Sequence, residues 1–235
     1  MSDFGALKRE AFNANMEISI HDLAIFTFGN VSVLDRERGV FAIKPSGVSY
    51  DVLKAEDIVV VDLECQVVEG TLRPSSDTKT HAVLYRTFPG IGGVVHTHSP
   101  YAVGWAQALT PIPIYGTTHA DHTVRDIPCT PPMADDRIQG DYEEETGNQI
   151  ISYFQDRELD PAETEMVLVG SHGPFTWGKT AEEAVYNAVV LEELARMAFV
   201  TRLVNPDTPA LKDTLKKKHY ERKHGRNAYY GQSEA

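Results

Sequence analysis

The sequence predicts a globular α/β protein of one domain, or at most two, with helices and strands mixed along the chain. Its 235 residues are enough to bury a substantial core, and a hydrophobic content of 42% with 24% charged residues is ordinary for a water-soluble chain. Segments with helical spacing of apolar residues are interspersed with short β-branched runs that end at glycines or polar turns.

Charge and cysteine content argue against several functions. The formal net charge of −12 disfavours nucleic acid and anionic membranes as partners, because both require a basic protein surface. No stretch approaches the ~20 consecutive apolar residues of a membrane helix. The two cysteines, Cys65 and Cys129, lie far apart and lack the spacing of a metal finger or a redox motif. We therefore expect a cytoplasmic protein with free thiols.

The first part of the chain alternates between the two kinds of segment. Apolar residues at Leu7, Phe12 and Met16 give residues 6–16 a helical spacing, and the serines and aspartate of loop 73–78 favour a helix start there. The predicted elements are a helix at 6–16, strands at 23–28, 31–34, 40–43, 57–62 and 66–70, and a helix from loop 73–78 to about residue 88.

The second part ends in a basic tail. Its predicted elements are a strand at 92–99, a helix at 100–108, a loop with a short strand at 111–126, a helix at 141–155, a strand at 166–169 and a long helix at 180–203. Residues 212–226 carry seven Lys or Arg against two acids. A solvated helix is the first interpretation of such a run, and contact with an anionic ligand or a neighbouring subunit is the alternative.

Two histidines mark the end of the predicted strand 92–99. His96 and His98 are separated by one residue, so on a strand their side chains leave the same face. Two imidazoles placed in this way can converge on one divalent metal ion. Ordinary hydrogen bonding on a half-exposed strand is the alternative, and the surrounding residues decide between the two interpretations.

A third histidine favours the metal interpretation. His172 directly follows the predicted strand 166–169 and is flanked by Gly170 and Gly173, where a ligand can approach the backbone. With His96 and His98 it predicts a three-histidine site that leaves room for substrate, as in catalytic zinc centres. Asp77, at the start of its predicted helix, is a candidate fourth ligand or a nearby base.

Small polar residues on turns form a second candidate site. Backbone N–H groups beside glycine, serine hydroxyls and a helix N-terminus can together bind an anion. Lys44 can supply a positive charge, and each turn taken alone is compatible with a purely structural role. Together with a metal, the turns predict a phosphorylated substrate. Their residues are Gly29, Asn30, Ser46, Gly47, Ser75 and Ser76.

Asp121 and Tyr230 are the candidate proton carriers. A carboxylate and a phenol suit proton transfer to and from a hydroxyl if a metal or burial draws their pKa values toward neutrality. A packing role for the aromatic ring is the alternative for Tyr230.

Several motifs in chain order resemble the class II aldolase/adducin-head family. The likeness covers nearly the whole chain and includes residues 28–32, 43–48, 74–78, 95–99, 116–121, 171–175, 218–220, 223–225 and 229–232. The resemblance implies a single α/β domain over residues 1–235, with a central, mainly antiparallel sheet flanked by helices. It also implies a fourfold-symmetric homotetramer with active sites at subunit interfaces, in which segment 212–235 reaches a neighbouring subunit.

The same resemblance implies roles for the candidate residues. His96, His98 and His172 match the ligands of a divalent metal, Zn2+ in preference to Mn2+, and Asp77 matches the acidic position beside them. The three pairs of turn residues match phosphate-binding positions. Asp121 matches one acid/base group, and Tyr230, reaching into the next subunit's site, matches the other.

The family chemistry suggests two enzymatic activities. Aldolases of the family carry Glu where this chain has Asp77, so Asp favours an epimerase that interconverts L-ribulose 5-phosphate and D-xylulose 5-phosphate. Inverting a carbon without an acidic proton requires cleavage of the adjacent carbon–carbon bond to an enediolate and an aldehyde, with the metal as Lewis acid. A class II sugar-phosphate aldolase of the fuculose-phosphate type is the alternative. A non-catalytic interaction module, which predicts lost metal ligands, is disfavoured by the three histidines.

Overall fold

An antiparallel β-sheet forms the centre of the protein. The computed structural model describes residues 3–226 and 228–229. Within them the strands are β1 (Asn30–Asp35), β2 (Val40–Ile43), β3 (Val59–Asp62), β4 (Val67–Glu69), β5 (Gly93–His96), β6 (Met166–Val169) and β7 (Gly173–Gly178). They form one sheet in the order β4-β3-β2-β1-β5-β7-β6, with neighbouring strands antiparallel throughout. The predicted α/β fold with a central antiparallel sheet is confirmed.

Helices cover both faces of this sheet. They are α1 (Gly5–Ile20), α2 (Thr78–Thr87), α3 (Pro100–Gln107), α4 (Thr117–Ala120), α5 (Asp135–Ile138), α6 (Tyr142–Asp156), α7 (Ala181–Val204) and α8 (Asp213–His224), with a 3-10 turn at Ala55–Asp57. Helices α1 and α7 pack on one face, and α2 and α6 pack on the other. None of the helices in the described part is both long and apolar enough to cross a bilayer.

Burial on both faces explains the continuous apolar runs of the central strands. On β2, Val40 and Ala42 enter the core under α1 and α7, whereas Phe41 and Ile43 enter the core under α2 and α6. Because successive strand residues point to opposite faces, every position of β2 is buried and apolar. The sheet therefore forms a rigid platform whose strand ends carry the polar residues.

The long helix α7 begins where its capping signal predicts. The Thr180 hydroxyl accepts a hydrogen bond from the Glu183 backbone N–H at 3.2 Å, which satisfies one free donor of the first turn. The Glu183 carboxylate binds the backbone N–H of Lys179 rather than that of Thr180, at 2.8 Å. The helix start is thus held from two sides.

The predicted strand at 23–28 is wrong. The segment is an irregular loop in which Phe26 adopts a left-handed φ of +54°. Its large side chains at Ile25, Phe26 and Phe28 are 57%, 73% and 50% exposed, so their apolar character does not reflect burial in a sheet. This loop leads directly into the turn at Gly29.

Other parts of the chain also differ from prediction. Strand β7 was not predicted because Gly173 and Pro174 have the composition of a turn, yet β7 is buried along its length between β5 and β6. Helix α4, four residues long, lies in segment 111–126, for which a loop with a short strand was expected, and the equally short α5 lies in a segment for which no element was predicted. His98 lies beyond the end of β5 rather than on the strand.

Candidate metal and anion site

The sheet register brings the three histidines together. His96 is the last residue of β5 and pairs with Asn30 on one side and with Phe175 of β7 on the other. His172 lies in the turn that joins β6 to β7, so it is adjacent to His96. The ligand nitrogens of His96, His98 and His172 all lie within 4.8 Å of one another. The predicted cluster is present.

Contacts around His96 orient its free nitrogen toward the cluster. Its Nδ1 lies 2.9 Å from the Pro174 carbonyl oxygen, and since a carbonyl only accepts, Nδ1 carries the proton. The ring stacks on Phe175 with 4.2 Å between centroids. The Nε2 lone pair is therefore available, and it lies 3.1 Å from Nε2 of His98. A backbone carbonyl commonly fixes a metal-binding histidine in this way.

The environment favours uncharged imidazoles. Burial first, and then the neighbouring His96, lower the pKa of His172 to about 3. The same two causes, in the same order, lower the pKa of His98. Neutral imidazole is the form that binds a metal. Three clustered imidazole nitrogens beside an open cavity fit a divalent cation with a free coordination position.

Asp77 lies beside the cluster and is held by Asn30. The Asn30 side-chain amide donates to Oδ2 of Asp77 at 2.6 Å and to the Ser75 hydroxyl at 3.1 Å. Burial raises the pKa of Asp77, but the His96 and His81 imidazoles and the Asn30 hydrogen bond outweigh it and hold that pKa below its usual range. Asp77 is an ionised carboxylate next to the histidines, and its role as ligand or base stays a prediction.

All three predicted anion-binding turns open into one cavity, which His98 and His172 of the histidine cluster also line. The cavity has a volume of about 410 Å³. Its lining comprises Thr27, Phe28, Gly29, Asn30, Lys44, Pro45, Ser46, Gly47, Ser75, Ser76, Asp77, His98, Tyr142, Glu143 and His172.

Backbone hydrogen bonds join two of the turns. The Ser46 N–H donates to the Arg73 carbonyl at 2.9 Å, and the Ser75 N–H donates to the Lys44 carbonyl at 3.0 Å. Gly47 adopts a φ of +69°, which glycine reaches without strain. The turn that follows β2 and the turn that precedes α2 thus form one frame along the cavity wall.

Lys44 supplies the positive charge of this wall. Its side chain is 1% exposed, and burial lowers its pKa to about 8. Its Nζ lies 3.4 Å from the Thr27 carbonyl oxygen and 4.8 Å from the ring centroid of Tyr50. Within the described part of the chain, no carboxylate lies within ion-pairing distance of Lys44. A buried ammonium without a counter-ion is suited to an anionic ligand.

The cavity also contains two polar residues of α6 that were not predicted as site residues. Tyr142 and Glu143 begin α6, and the Tyr142 hydroxyl lies 3.3 Å from Nδ1 of His172. Burial raises the pKa of Tyr142, so its phenol is protonated at neutral pH. The sequence contains no local signal for either residue beyond their position at a helix start, because only the packing of α6 on α2 brings them to the cavity.

Asp121 lies elsewhere in the chain, at the end of α4 and under α8. Arg222 binds its carboxylate through Nε at 2.9 Å and Nη2 at 2.6 Å, and Nδ1 of His219 lies 2.9 Å from the same carboxylate. Burial raises the pKa of Asp121, but these hydrogen bonds, led by that of Arg222, hold it below its usual range, so within this chain that pKa is not drawn toward neutrality as was expected of a proton carrier. Asp121 does not line the metal cavity of its own chain. Tyr230 lies outside the described residues.

The family model for the class II aldolase and adducin N-terminal domain matches residues 9–199, and the chain belongs to this family. Two curated relatives, from Salmonella paratyphi A and Salmonella typhi, are named L-ribulose-5-phosphate 4-epimerase UlaF. Each is 54% identical over 226 residues, covering 96% of this chain and 98% of the relative.

Solved structures support the same fold. A structure of L-fuculose 1-phosphate aldolase matches with a TM-score of 0.77 and 24% identity, covering 94% of this chain and 97% of the other. The L-fuculose-1-phosphate aldolase of Thermus thermophilus matches with a TM-score of 0.66 and 26% identity, covering 87% of this chain and 98% of the other.

Proposed function

We propose that this protein is a metal-dependent epimerase that interconverts L-ribulose 5-phosphate and D-xylulose 5-phosphate. One observation carries the proposal: the three anion-binding turns line a single cavity of about 410 Å³ together with His98 and His172, two members of the three-histidine cluster. Such a cavity suits a small phosphorylated sugar. The identity of 54% with named 4-epimerases over 96% of the chain selects the ketopentose among phosphorylated sugars.

The reaction requires that a carbon–carbon bond breaks and re-forms. Carbon 4 of L-ribulose 5-phosphate carries a hydroxyl group and a hydrogen that is not acidic, so direct deprotonation cannot invert it. Breaking the bond between carbons 3 and 4 gives the enediolate of dihydroxyacetone and glycolaldehyde phosphate. Re-addition of the enediolate to the other face of the aldehyde gives the 4-epimer with all atoms conserved.

The residues of the cavity divide this task. A divalent cation held by His96, His98 and His172, Zn2+ in preference to Mn2+, supplies Lewis acidity that stabilises the developing negative charge on the sugar. The phosphate is on the aldehyde fragment, so the anion-binding turns and Lys44 retain that fragment while its carbonyl turns over. Enclosure between the cavity walls keeps both fragments at high effective concentration.

Proton transfer is assigned to Asp121 and Tyr230. An ionised Asp121 can accept the proton of the 4-hydroxyl, and Tyr230 can donate to the alkoxide that forms on the other face. Asp121 is bound to α8, and Tyr230 follows α8 in the sequence. Because Asp121 does not line its own chain's metal cavity, we assign both groups to the cavity of a neighbouring subunit in a homotetramer.

Exposed apolar side chains support assembly. Tyr101 of α3 packs on Phe199 of α7 with 5.8 Å between ring centroids. The two side chains are 37% and 44% exposed, respectively. Beyond them, Val200, Leu203 and Val204 of the same helix are 49%, 67% and 81% exposed. Monomers rarely leave such a continuous apolar surface in water. We assign this surface to contacts between subunits. We also assign the enzyme to the cytoplasm.

Product analysis tests the proposed function against the aldolase alternative. The metal-loaded protein is incubated with L-ribulose 5-phosphate, and the products are followed by NMR spectroscopy. An epimerase accumulates D-xylulose 5-phosphate to equilibrium. Net accumulation of dihydroxyacetone and glycolaldehyde phosphate without D-xylulose 5-phosphate would identify an aldolase instead. A His98→Asn variant, treated identically, controls for contaminating activity.

A further inference from the structure

Tyr50 connects two walls of the anion site although it does not line the cavity itself. The side chain is 4% exposed and lies in the core under α1 and α7. Its hydroxyl group lies 3.1 Å from the Phe28 carbonyl oxygen and 3.0 Å from the Gly29 carbonyl oxygen, and it donates to this pair. Its backbone N–H donates to the Phe26 carbonyl at 3.2 Å.

The segment that Tyr50 holds is conformationally demanding. Phe26 and Gly29 have positive φ angles of +54° and +72°, and the first of these is unfavourable for a bulky L-residue. The segment has no place in the sheet until β1 begins at Asn30. The Tyr50 hydroxyl, shared between two carbonyls, and the Tyr50 backbone N–H are therefore a principal restraint on the turn that carries Gly29 and Asn30 into the cavity.

The other contact of Tyr50 is with the cavity's buried cation. Nζ of Lys44 lies 4.8 Å from the centroid of the Tyr50 ring, within the range of a cation–π interaction. The nearest acceptor of Lys44 is the Thr27 carbonyl, at 3.4 Å, in the same segment that Tyr50 holds. The aromatic ring is consequently a strong determinant of where the ammonium group lies when no anion is bound.

We propose that Tyr50 is a positioning residue for the phosphate end of the substrate, acting through Lys44 and the Gly29 turn. The hydroxyl group fixes the turn, and the ring face fixes the ammonium. Both groups contribute to binding before and after the carbon–carbon bond breaks, so Tyr50 governs ground-state affinity rather than the chemical step. This inference rests on the proposed function only in taking the ligand to be a phosphorylated sugar.

Two variants separate the two contacts. Tyr50→Phe removes the hydroxyl and keeps the ring, whereas Tyr50→Leu removes both. Tyr153 provides a control, because Arg157 lies 3.8 Å over its ring and Tyr153 does not line the cavity. Tyr153→Phe therefore removes a phenol hydroxyl, and Tyr153→Leu also removes a cation–π contact, without touching the anion site.

Inorganic phosphate is the probe, titrated calorimetrically into the metal-loaded protein. We expect Tyr50→Phe to raise the phosphate dissociation constant by about two- to tenfold, and Tyr50→Leu to raise it further. KM for L-ribulose 5-phosphate should rise in parallel while kcat stays within about twofold, a split that simple loss of folded protein does not produce. The Tyr153 variants should keep both constants.

The outcomes separate this inference from the proposed function. Phosphate affinity and KM that stay within about twofold of wild type in Tyr50→Phe and Tyr50→Leu would overturn the inference while leaving the epimerase assignment intact. If wild type fails to convert L-ribulose 5-phosphate, the phosphate titrations still decide the role of Tyr50. If Tyr50→Leu fails to fold, Tyr50→Phe alone decides it.

Discussion

The backbone at Gly29 passes so close to His96 that a Cβ added at Gly29 would lie 2.8 Å from the His96 carbonyl oxygen. Real Cβ atoms do not approach a carbonyl oxygen so closely, so the two backbones meet only because residue 29 lacks a side chain. Gly29 begins the anion-binding turn, and His96 is a predicted metal ligand. The two halves of the site are therefore in direct backbone contact.

Gly29→Ala should damage both halves of the site. The added methyl group must displace the end of β5. We therefore expect the free energy of unfolding to fall by about 1–3 kcal/mol in addition to the loss that an alanine at this positive φ causes by itself. Metal content and phosphate affinity should fall together. Urea denaturation, elemental analysis and calorimetry measure the three effects.

Gly47→Ala is the matched control for that variant. Gly47 has a φ of +69°, close to the +72° of Gly29, but no atom lies within 4 Å of an added Cβ. We expect a loss of about 1–2 kcal/mol from the backbone conformation and an unchanged metal content. Equal effects of the two substitutions would show that the contact between Gly29 and His96 has no importance.

Removing a metal-binding histidine should empty the metal site. We expect His98→Asn to reduce bound metal, measured by elemental analysis of purified protein, and to lower kcat by about hundredfold or more. His21→Asn is the control, because His21 is an exposed histidine whose nearest charged partner is Glu17 on the same helix. Full metal content in His98→Asn would contradict the assignment of this residue.

Phosphate binding should weaken as pH rises through about 8. Burial lowers the pKa of Lys44 to about 8 in the ligand-free protein, so its ammonium charge is present below that pH and lost above it. His98 and His172 are already neutral in this range because burial lowers the pKa of each, and burial raises the pKa of Tyr50, so its phenol stays protonated.

Calorimetric titration with phosphate at pH 7 and pH 9.5 measures this dependence. In wild type, the phosphate dissociation constant should increase with pH above the pKa of Lys44, approaching a tenfold increase for each pH unit. In Lys44→Met, affinity should be about tenfold to hundredfold weaker at pH 7, and the dependence between the two pH values should disappear. An unchanged pH dependence in Lys44→Met would mean that another group controls it.

Subunit mixing tests whether Asp121 serves a neighbouring subunit. We expect Asp121→Asn and Tyr230→Phe each to retain metal and to lower kcat by about 10²–10⁴-fold. Co-expression of Asp121→Asn with His98→Asn should restore part of the activity, because a mixed tetramer contains cavities with intact His98 from one chain and intact Asp121 from another. Absence of any recovery in verified mixed tetramers would place Asp121 in its own chain's site or outside the chemistry.

Local sequence patterns predicted the parts of the site whose conformation is determined by residues close together in the sequence. The turns at Gly47 and Ser75 follow from residue types that favour those backbone conformations. The spacing of His96 and His98 indicated the pair, although His98 reaches the cluster from the segment after β5 and not from the strand itself. Strand β7 was missed because Gly173 and Pro174 resemble a turn, and only pairing with β5 and β6 makes them a strand.

Contacts between distant residues were beyond prediction. Asp121 and Arg222 are separated by 101 positions, and no local pattern indicates that α8 would bind α4 through that pair. The basic tail therefore has a specific partner that composition alone does not reveal, although α8 contains no buried residue. Tyr142 reaches His172 for the same reason, through helix packing rather than sequence proximity.

The most direct test of carbon–carbon bond cleavage is epimerisation of L-ribulose 5-phosphate in D2O, with the hydrogen on carbon 4 of the product measured by proton NMR. In the proposed reaction the hydrogen on carbon 4 becomes the aldehyde hydrogen and never exchanges with solvent. D-xylulose 5-phosphate should therefore form with full proton occupancy at carbon 4. Deuterium at carbon 4 of the product would contradict the account, because it would require deprotonation at that carbon.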